Sequence, residues 1–335
     1  MAERGLDRQV AHLLAGAPGP DEAAAAAVAE RARQVLRPAG ALARLDELAV
    51  WLAAWQGTDR PGVRRPAAVV FAADHGVAAA GVSAYPAEVT AAMVKALREG
   101  VATASVLARQ VGATLEVVDV GVGDPTGDLA RGPALGAARF RACLQAGRDA
   151  VAGLDTDLLV LGEMGIGNTT AAAAVTAALL GRSAAASTGR GTGVDDAGLA
   201  RKLAAVEAAR RRAEGAAPLE VLRQAGGAEL AALCGAALEA RLRRLPLVLD
   251  GFVVTAAVAP LELLRPGALA NAVAGHRSAE PGHRALLERL GLRPLLELDL
   301  RLGEASGALA AVPLLRLADA AVTEVATFAE WGLGP

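Results

Sequence analysis

Leu158-Leu159-Val160-Leu161-Gly162-Glu163-Met164-Gly165-Ile166-Gly167-Asn168-Thr169-Thr170, continuing into Ala171-Ala172-Ala173-Ala174-Val175, joins a short apolar run to three glycines and then to an alanine-rich segment. The first four residues are apolar without alternation, as in a strand covered on both faces. The alanines that follow favour helix. A buried strand that turns through glycines into a helix is the unit of a parallel α/β sheet. The same succession recurs on either side. Short apolar strands are expected at Ala67–Ala73, Leu115–Val120, Leu158–Leu161, Leu247–Leu249, Ala272–Ala274 and Leu295–Leu300. Between them lie helical runs at Pro86–Arg98, Thr169–Leu180, Leu199–Arg212, Ala228–Arg243 and Pro281–Leu290. Such alternation argues for a mostly parallel sheet with helices on both faces.

Both ends of the chain read as helix. Asp21 is placed to cap a run from Glu22 to Leu36, and Leu42, Leu45, Leu48, Leu52 and Trp55 keep helical spacing. Ala308 to Trp331 is helical again. The expected organisation is N-terminal helices over 1–60, a large α/β domain over 61–307, and C-terminal helices over 308–335 that join the first segment in a small helical domain.

Bulk composition narrows the function. The 335 residues carry a formal net charge of -2, which supplies no electrostatic attraction to nucleic acid or an anionic membrane. Hydrophobic residues make up 53% and aromatics 2%, which suits helices packed closely on a sheet. Cys143 and Cys234 form no metal or redox motif, and a reduced cytoplasmic setting is expected. Met1 to Val10 lacks the apolar segment of a signal peptide. The most membrane-like stretch, Leu245 to Leu264, is interrupted by Asp250, Gly251 and Pro260, and reads as a buried strand followed by a helix.

The unusual residues follow the strands: Asp74-His75-Gly76, Gly162 to Thr170, Asp250-Gly251-Phe252, His276 to Glu280, and Gly303-Glu304-Ala305-Ser306-Gly307. In open α/β sheets ligands bind beyond the carboxyl ends of the strands, so these clusters can build one enzyme site. Gly162 to Thr170 offers backbone N–H groups and a helix N-terminus to a phosphate, and reads equally as a glycine-rich turn with an Asn/Thr cap. It lacks both the Walker lysine and the GxGxxG spacing. Gly189-Arg190-Gly191-Thr192-Gly193 leads through Asp195 and Asp196 to Lys202, one of two lysines beside Lys95. Lys202 reads as a phosphate ligand or as a solvated lysine on a helix face. Glu304 reads as a general base or as an acidic residue favouring a helix start capped by Ser306. His276 and His283 match no zinc spacing, and the Asp74-His75 pair reads better as hydrogen-bonding or structural than as metal-binding. No metal is expected.

Taken together, Ala73-Asp74-His75-Gly76-Val77, Gly81-Val82-Ser83-Ala84-Tyr85-Pro86, Gly162 to Thr170, Gly189 to Asp196, Leu249 to Phe252, Ser278-Ala279-Glu280-Pro281-Gly282-His283 and Leu300 to Glu304 resemble the nicotinate-nucleotide–dimethylbenzimidazole phosphoribosyltransferase family, in order and over nearly the whole chain. The sequence departs from the family pattern at Ala87, where glutamine is common, and at Ala305, where glycine is. The resemblance implies a Rossmann-like sheet with a small helical domain from both termini, and a cytoplasmic homodimer with sites near the subunit interface. It implies nicotinate mononucleotide as donor, a benzimidazole-type base as acceptor, and no cofactor. Glu304 then matches the catalytic base. Glu163, Gly165, Ile166, Gly167, Asn168 and Thr169 match the nucleotide-phosphate loop, Lys202 a phosphate-contacting lysine, and Arg190, Gly191 and Thr192 the nicotinate end. Asp74, His75 and Leu302 fall at the acceptor pocket, and Glu163 is the reserve base. Transfer to adenine or a phenolic ring, or a catalytically silent nucleotide-binding relative, are the alternatives.

Overall fold

The structure, a computed structural model, describes residues 3–333; the outermost residues of the expected 1–60 and 308–335 segments lie outside the described residues. Five strands form one sheet: β1 (Pro66–Ala73), β2 (Thr114–Gly121), β3 (Leu158–Met164), β4 (Leu247–Leu249) and β5 (Ala272–Ala274). They run parallel in the order β2-β1-β3-β4-β5. Three helices precede the sheet: α1 (Glu3–Ala15), α2 (Glu22–Gln34) and α3 (Arg44–Gln56). Connecting the strands are α4 (Val89–Arg98), α5 (Thr103–Gln110), α6 (Ala137–Ala152), α7 (Asn168–Leu180), α8 (Ala184–Ser187), α9 (Asp196–Arg212), α10 (Pro218–Ala225), α11 (Ala228–Leu242) and α12 (Phe252–Leu264). The chain then continues through α13 (Pro281–Leu290) and α14 (Ser306–Thr323).

Side-chain alternation along the strands divides the interior into two cores. Val69, Phe71, Leu159, Leu161, Leu247 and Leu249 face one side, with α6, α7, α11 and α12. Ala68, Val70, Leu158, Val160 and Val248 face the other, with α3, α4, α5 and α14. Because both faces are covered, β1, β3 and β4 show continuous apolar runs in the sequence, whereas the edge strand β2 is part-exposed and carries Glu116 and Asp119.

Two expectations need correction. Leu295–Leu300 is not a strand: it makes one isolated bridge, His276 with Leu296, beside the edge of the sheet. Asp299 takes a left-handed φ of 52°, which breaks the extended run before a ladder can form. The C-terminal helix stops at Thr323, and the chain beyond it clamps the end of α2 through Leu36 N–H to Ala326 O and Phe328 N–H to Gln34 O.

Ala24, Val28 and Ala32 of α2, Ala49 and Ala53 of α3, and Val322 of α14 form a third, smaller cluster, whereas Val10 and Leu14 of α1 lie in the first core. By length and composition α14 is apolar enough to cross a membrane, yet Leu309, Val312 and Leu315 are fully buried against the sheet and its helices.

The tightest helix crossing joins α6 to α11. A Cβ on Gly147 would collide with the backbone of Ala232, and one on Gly235 with the backbone of Leu144, so neither collision is relieved by turning a side chain. Gly235→Val is expected to lower stability by about 1–3 kcal/mol, the range for overpacked cores. A thermal melt checks this; an unchanged midpoint would mean that the crossing does not need the glycine.

Candidate active site

A cavity of about 370 Å³ opens over the carboxyl ends of β3, β4 and β5. Glu163 to Ile166, Asn168 and Thr169 line it from β3 and the start of α7; Gly251 to Val253 line it from the turn after β4. His276, Ser278 and Glu280 follow β5, Arg301 to Glu304 come from the turn before α14, and Gly191 and Thr192 from the second glycine loop. Tyr85, Val89 and Met93 close the remaining side. The two turns carrying Glu304 and Gly165 therefore face one space.

Glu304 is carried by an unusual backbone. Gly303, Glu304 and Ala305 have φ of 86°, 60° and 71°, three consecutive left-handed residues of which two bear a Cβ. This conformation is costly outside glycine and is stable only where neighbours over-determine it. Here Asp250 does so. Its Oδ1 accepts from Ala308 N at 2.9 Å, and the backbone of Gly307 and Ala305 also hydrogen-bonds to the carboxylate. Asp250 thus caps α14 from the end of β4, in place of Ala305, which supplies no side-chain cap. Gly162 completes the fit, because a Cβ there would strike Ala305.

Glu304 is 4% exposed and its Oε2 is buried without a hydrogen-bond partner. Burial, and then the Asp250 charge, raise its carboxyl above the ordinary glutamate value. Glu163 is raised further, first by burial and then by the charges of Asp250, Glu229 and Glu304; Asn168 Nδ2 donates to its Oε2 and opposes the shift. Asp250 is itself raised by burial, opposed by His276, whose Nε2 lies 3.6 Å away, and by the backbone donors.

The opposite wall suits an anion. α7 begins without a side-chain cap, because Gly167 at the preceding position has φ 100° and brings none. Asn168 and Thr169 bring the start of α7, the positive end of its helix dipole, to the cavity wall. Ile166 N–H is held by Thr90 Oγ1 at 3.1 Å, which fixes the loop. Lys202 is 1% exposed and its Nζ donates to Thr169 Oγ1 at 2.9 Å. Gly191 lies directly over that ammonium: a Cβ there would be 2.7 Å from Nζ. The Thr192 hydroxyl accepts from Ala84 N–H at 3.0 Å and pairs with Ser83, tying the loop to the Tyr85 segment.

Five residues expected in the site do not line the cavity: Asp74, His75, Gly167, Arg190 and Lys202, the last buried behind Thr169 and Gly191. Asp74 Oδ2 accepts from Gly123 N–H at 2.8 Å. His75 Nε2 pairs with Glu229 Oε1 at 2.5 Å, and both side chains are fully buried. This pair sits behind the loop, close to Gly165 and Gly227, so it fills the end of β1 and shifts the cavity to β3–β5. Arg190 is engaged by Asp196 at 2.6 Å and by Val194 O, and does not line the cavity. Gly167 packs against His75, Val77 and Ala78, behind the lining. Leu302 does line it, at 52% exposure.

The sequence motifs contain Phe252, His276, Ser278, Glu280 and Arg301 without giving these residues roles, and do not reach Val89 or Met93. His283 supports them from below. Its Nδ1 accepts from Ser278 N–H at 2.9 Å, so its Nε2 carries the proton and donates to Thr255 Oγ1, which in turn donates to Gly251 O. Burial and the neighbouring His276 push its pKa down to about 3, which keeps the ring neutral and this tautomer fixed. Among the described residues no group of three or more His, Cys, Asp or Glu side chains could hold a metal ion.

A parallel sheet with a helix N-terminus and a buried carboxylate around one cavity, and a buried lysine behind its wall, defines an enzyme that moves a group carried by a phosphorylated substrate. The chain belongs to the phosphoribosyltransferase family, whose model matches residues 17–333. It is 50% identical over 318 residues to a nicotinate-nucleotide–dimethylbenzimidazole phosphoribosyltransferase of Cereibacter sphaeroides, covering 94% of each chain. It is 52% identical over 318 residues to the enzyme of that name from Mesorhizobium japonicum, again covering 94% of each. Among solved structures it resembles CobT from Thermus thermophilus with a TM-score of 0.89 and 47% identity, covering 93% of this chain and 99% of that one.

The raised pKa of Glu163 has a consequence for stability. A carboxyl that binds its proton more tightly when folded contributes stability that is present below the unfolded pKa and lost as pH rises through the folded one. Glu163→Gln is therefore expected to raise the melting temperature at pH above the folded value, with the gap closing as pH falls toward the ordinary glutamate range. Melting curves across pH check this, and a gap that widens in acid would contradict it.

Proposed function

We propose that this chain transfers the 5-phosphoribosyl group from nicotinate mononucleotide to 5,6-dimethylbenzimidazole, giving α-ribazole 5′-phosphate and nicotinate, as a cytoplasmic homodimer. The observation that carries the reading is the shared cavity, with the Glu304 carboxylate on one side and, on the other, Thr169 at the start of α7 with Lys202 bonded behind it. The names of the relatives support the substrates. Tyr85 and Leu302 line the cavity and are each more than half exposed, which supports a second subunit near the mouth.

The chemistry follows from charge. The pyridinium nitrogen of the donor leaves as a neutral ring nitrogen, so the leaving group needs no protonation. The enzyme must hold the phosphate and align an acceptor nitrogen on the opposite face of the ribose, which inverts the anomeric carbon. Met93, Met164, Ile166, Phe252 and Leu302 offer apolar contacts to a flat ring. As the new bond forms, the second ring nitrogen must lose its proton. Glu304 is the proposed base, and its raised pKa strengthens it in that role. Positioned bases contribute about 10²–10⁴ in rate. Buried carboxylates also favour the positive charge that develops on the ribose.

Glu304→Gln is expected to keep donor affinity and to lose about 10²-fold or more in turnover; nicotinate release followed by chromatography measures it, and turnover near wild type would remove the assignment. Lys202→Met is expected to weaken donor binding by about 10-fold or more, the loss of a charged hydrogen bond. An unchanged donor KM would mean that the phosphate is held elsewhere.

A further inference from the structure

Glu280 lines the cavity on the side of the second glycine loop. Its Oε1 accepts from Gly191 N–H at 2.9 Å, across 89 residues of sequence. The same carboxylate presses on Gly189: a Cβ there would lie 2.8 Å from Glu280 Cδ and 2.8 Å from Pro281 Cδ. One side chain thus holds two positions of the 189–193 loop. The loop in turn lies on Lys202, since Gly191 adopts φ 54° and leaves no room for a side chain over Nζ.

Charge points the same way. Lys202 is buried and, among the described residues, donates to Thr169 alone and forms no ion pair. The elements packed on α9 carry little that could face it. α7 and α8 have no charged residues, and Glu220 and Arg223 of α10 pair with each other. On its own element and the approach to it, Asp195 caps Gly198, Asp196 pairs with Arg190, Arg201 donates to Gly81 O, and Glu207 pairs with Arg210 and Arg211. Glu280 is the charge that acts on the ammonium, favouring its protonated form against a desolvation that disfavours it. Its Oε2 is buried without a partner, so the carboxylate is not neutralised by another contact.

We infer that Glu280 is a positioning residue for the donor phosphate, acting through the Gly191 backbone to seat the glycine loop over Lys202 and through its charge to keep that lysine cationic before substrate arrives. The inference rests on the reading of Lys202 as the phosphate ligand. Its sign is fixed. A lysine must be protonated to hold phosphate, so donor affinity falls as pH rises through the Lys202 pKa. Removing the neighbouring negative charge lowers that pKa and moves the loss to lower pH.

The test measures donor KM and kcat from about pH 6 to about pH 10, a span that brackets a lysine lowered from its ordinary value, with nicotinate mononucleotide and saturating 5,6-dimethylbenzimidazole. Competition by ribose 5-phosphate gives a second reading of the phosphate site. Glu280→Gln keeps an acceptor for Gly191 N–H and removes the charge. It is expected to shift the alkaline loss of donor affinity down by about one pH unit, and to raise donor KM near neutrality by less than loss of the Gly191 hydrogen bond does. Glu280→Ala removes the anchor as well and is expected to raise donor KM about 10-fold at neutral pH, with rescue by Gln. Should the Ala variant not fold, the Gln profile decides alone. Superimposable profiles for wild type and Glu280→Gln overturn the inference. So does a shift that persists in the Lys202→Met background, because Glu280 would then act through another group. Weakened binding in Lys202→Met beside an unshifted Glu280→Gln profile removes this inference and leaves the phosphate assignment standing; unchanged binding in Lys202→Met removes both.

Discussion

Asp250 is the constraint on which the site depends. It stands at the end of β4, fully buried, and its carboxylate receives the first backbone N–H groups of α14. A helix normally finds that cap in its own preceding residue. Taking it from another strand end locks α14 to the sheet and permits the Gly303-Glu304-Ala305 backbone to stay in a conformation it would otherwise leave. Gly162 serves the same end from β3, by letting Ala305 pack where a side chain would stand. The strand ends thus do more than line a cavity: they hold the turn that delivers the proposed base.

The charges in the cavity are segregated. Asp250 and Glu304 raise the proton affinity of Glu163, Asp250 raises that of Glu304, and burial raises all three. Lys202 lies behind the other wall, buried beneath Thr169 and Gly191. Such separation keeps the carboxylates from pairing with the lysine, which would satisfy both and leave neither free for substrate. It also leaves proton-accepting capacity where the proposed mechanism generates a proton.

Much of this was legible in the sequence, for identifiable reasons. β1, β3 and β4 were readable because burial on both faces forces continuous apolar runs. Glu304 and the 162–170 loop were readable because glycines beside a carboxylate or an alanine-rich helix are rare without a backbone reason. β5 was located although only three residues long, whereas Leu295–Leu300 was misread because its leucines look like a strand until Asp299 turns the chain. Asp74 and His75 sit at a strand end, where spacing sends them to the cavity. That end is occupied by Glu229, 154 residues distant, and no local pattern reports such a partner. Arg190 was drawn away by Asp196, six residues on, a competition that spacing allowed but did not decide. Glu280 was visible in the His276–Glu280 cluster, yet its contact with Gly191 joins two loops that are remote in sequence.

The left-handed turn at 303–305 has one more implication. A glutamate on a helix or strand samples several rotamers, and freezing one of them costs free energy each time a reaction requires it. Here the main chain itself launches the side chain into the cavity, and the fold meets the conformational cost when the protein folds. The carboxylate is therefore placed before either substrate enters, and binding energy can go into the reaction rather than into ordering the proposed base.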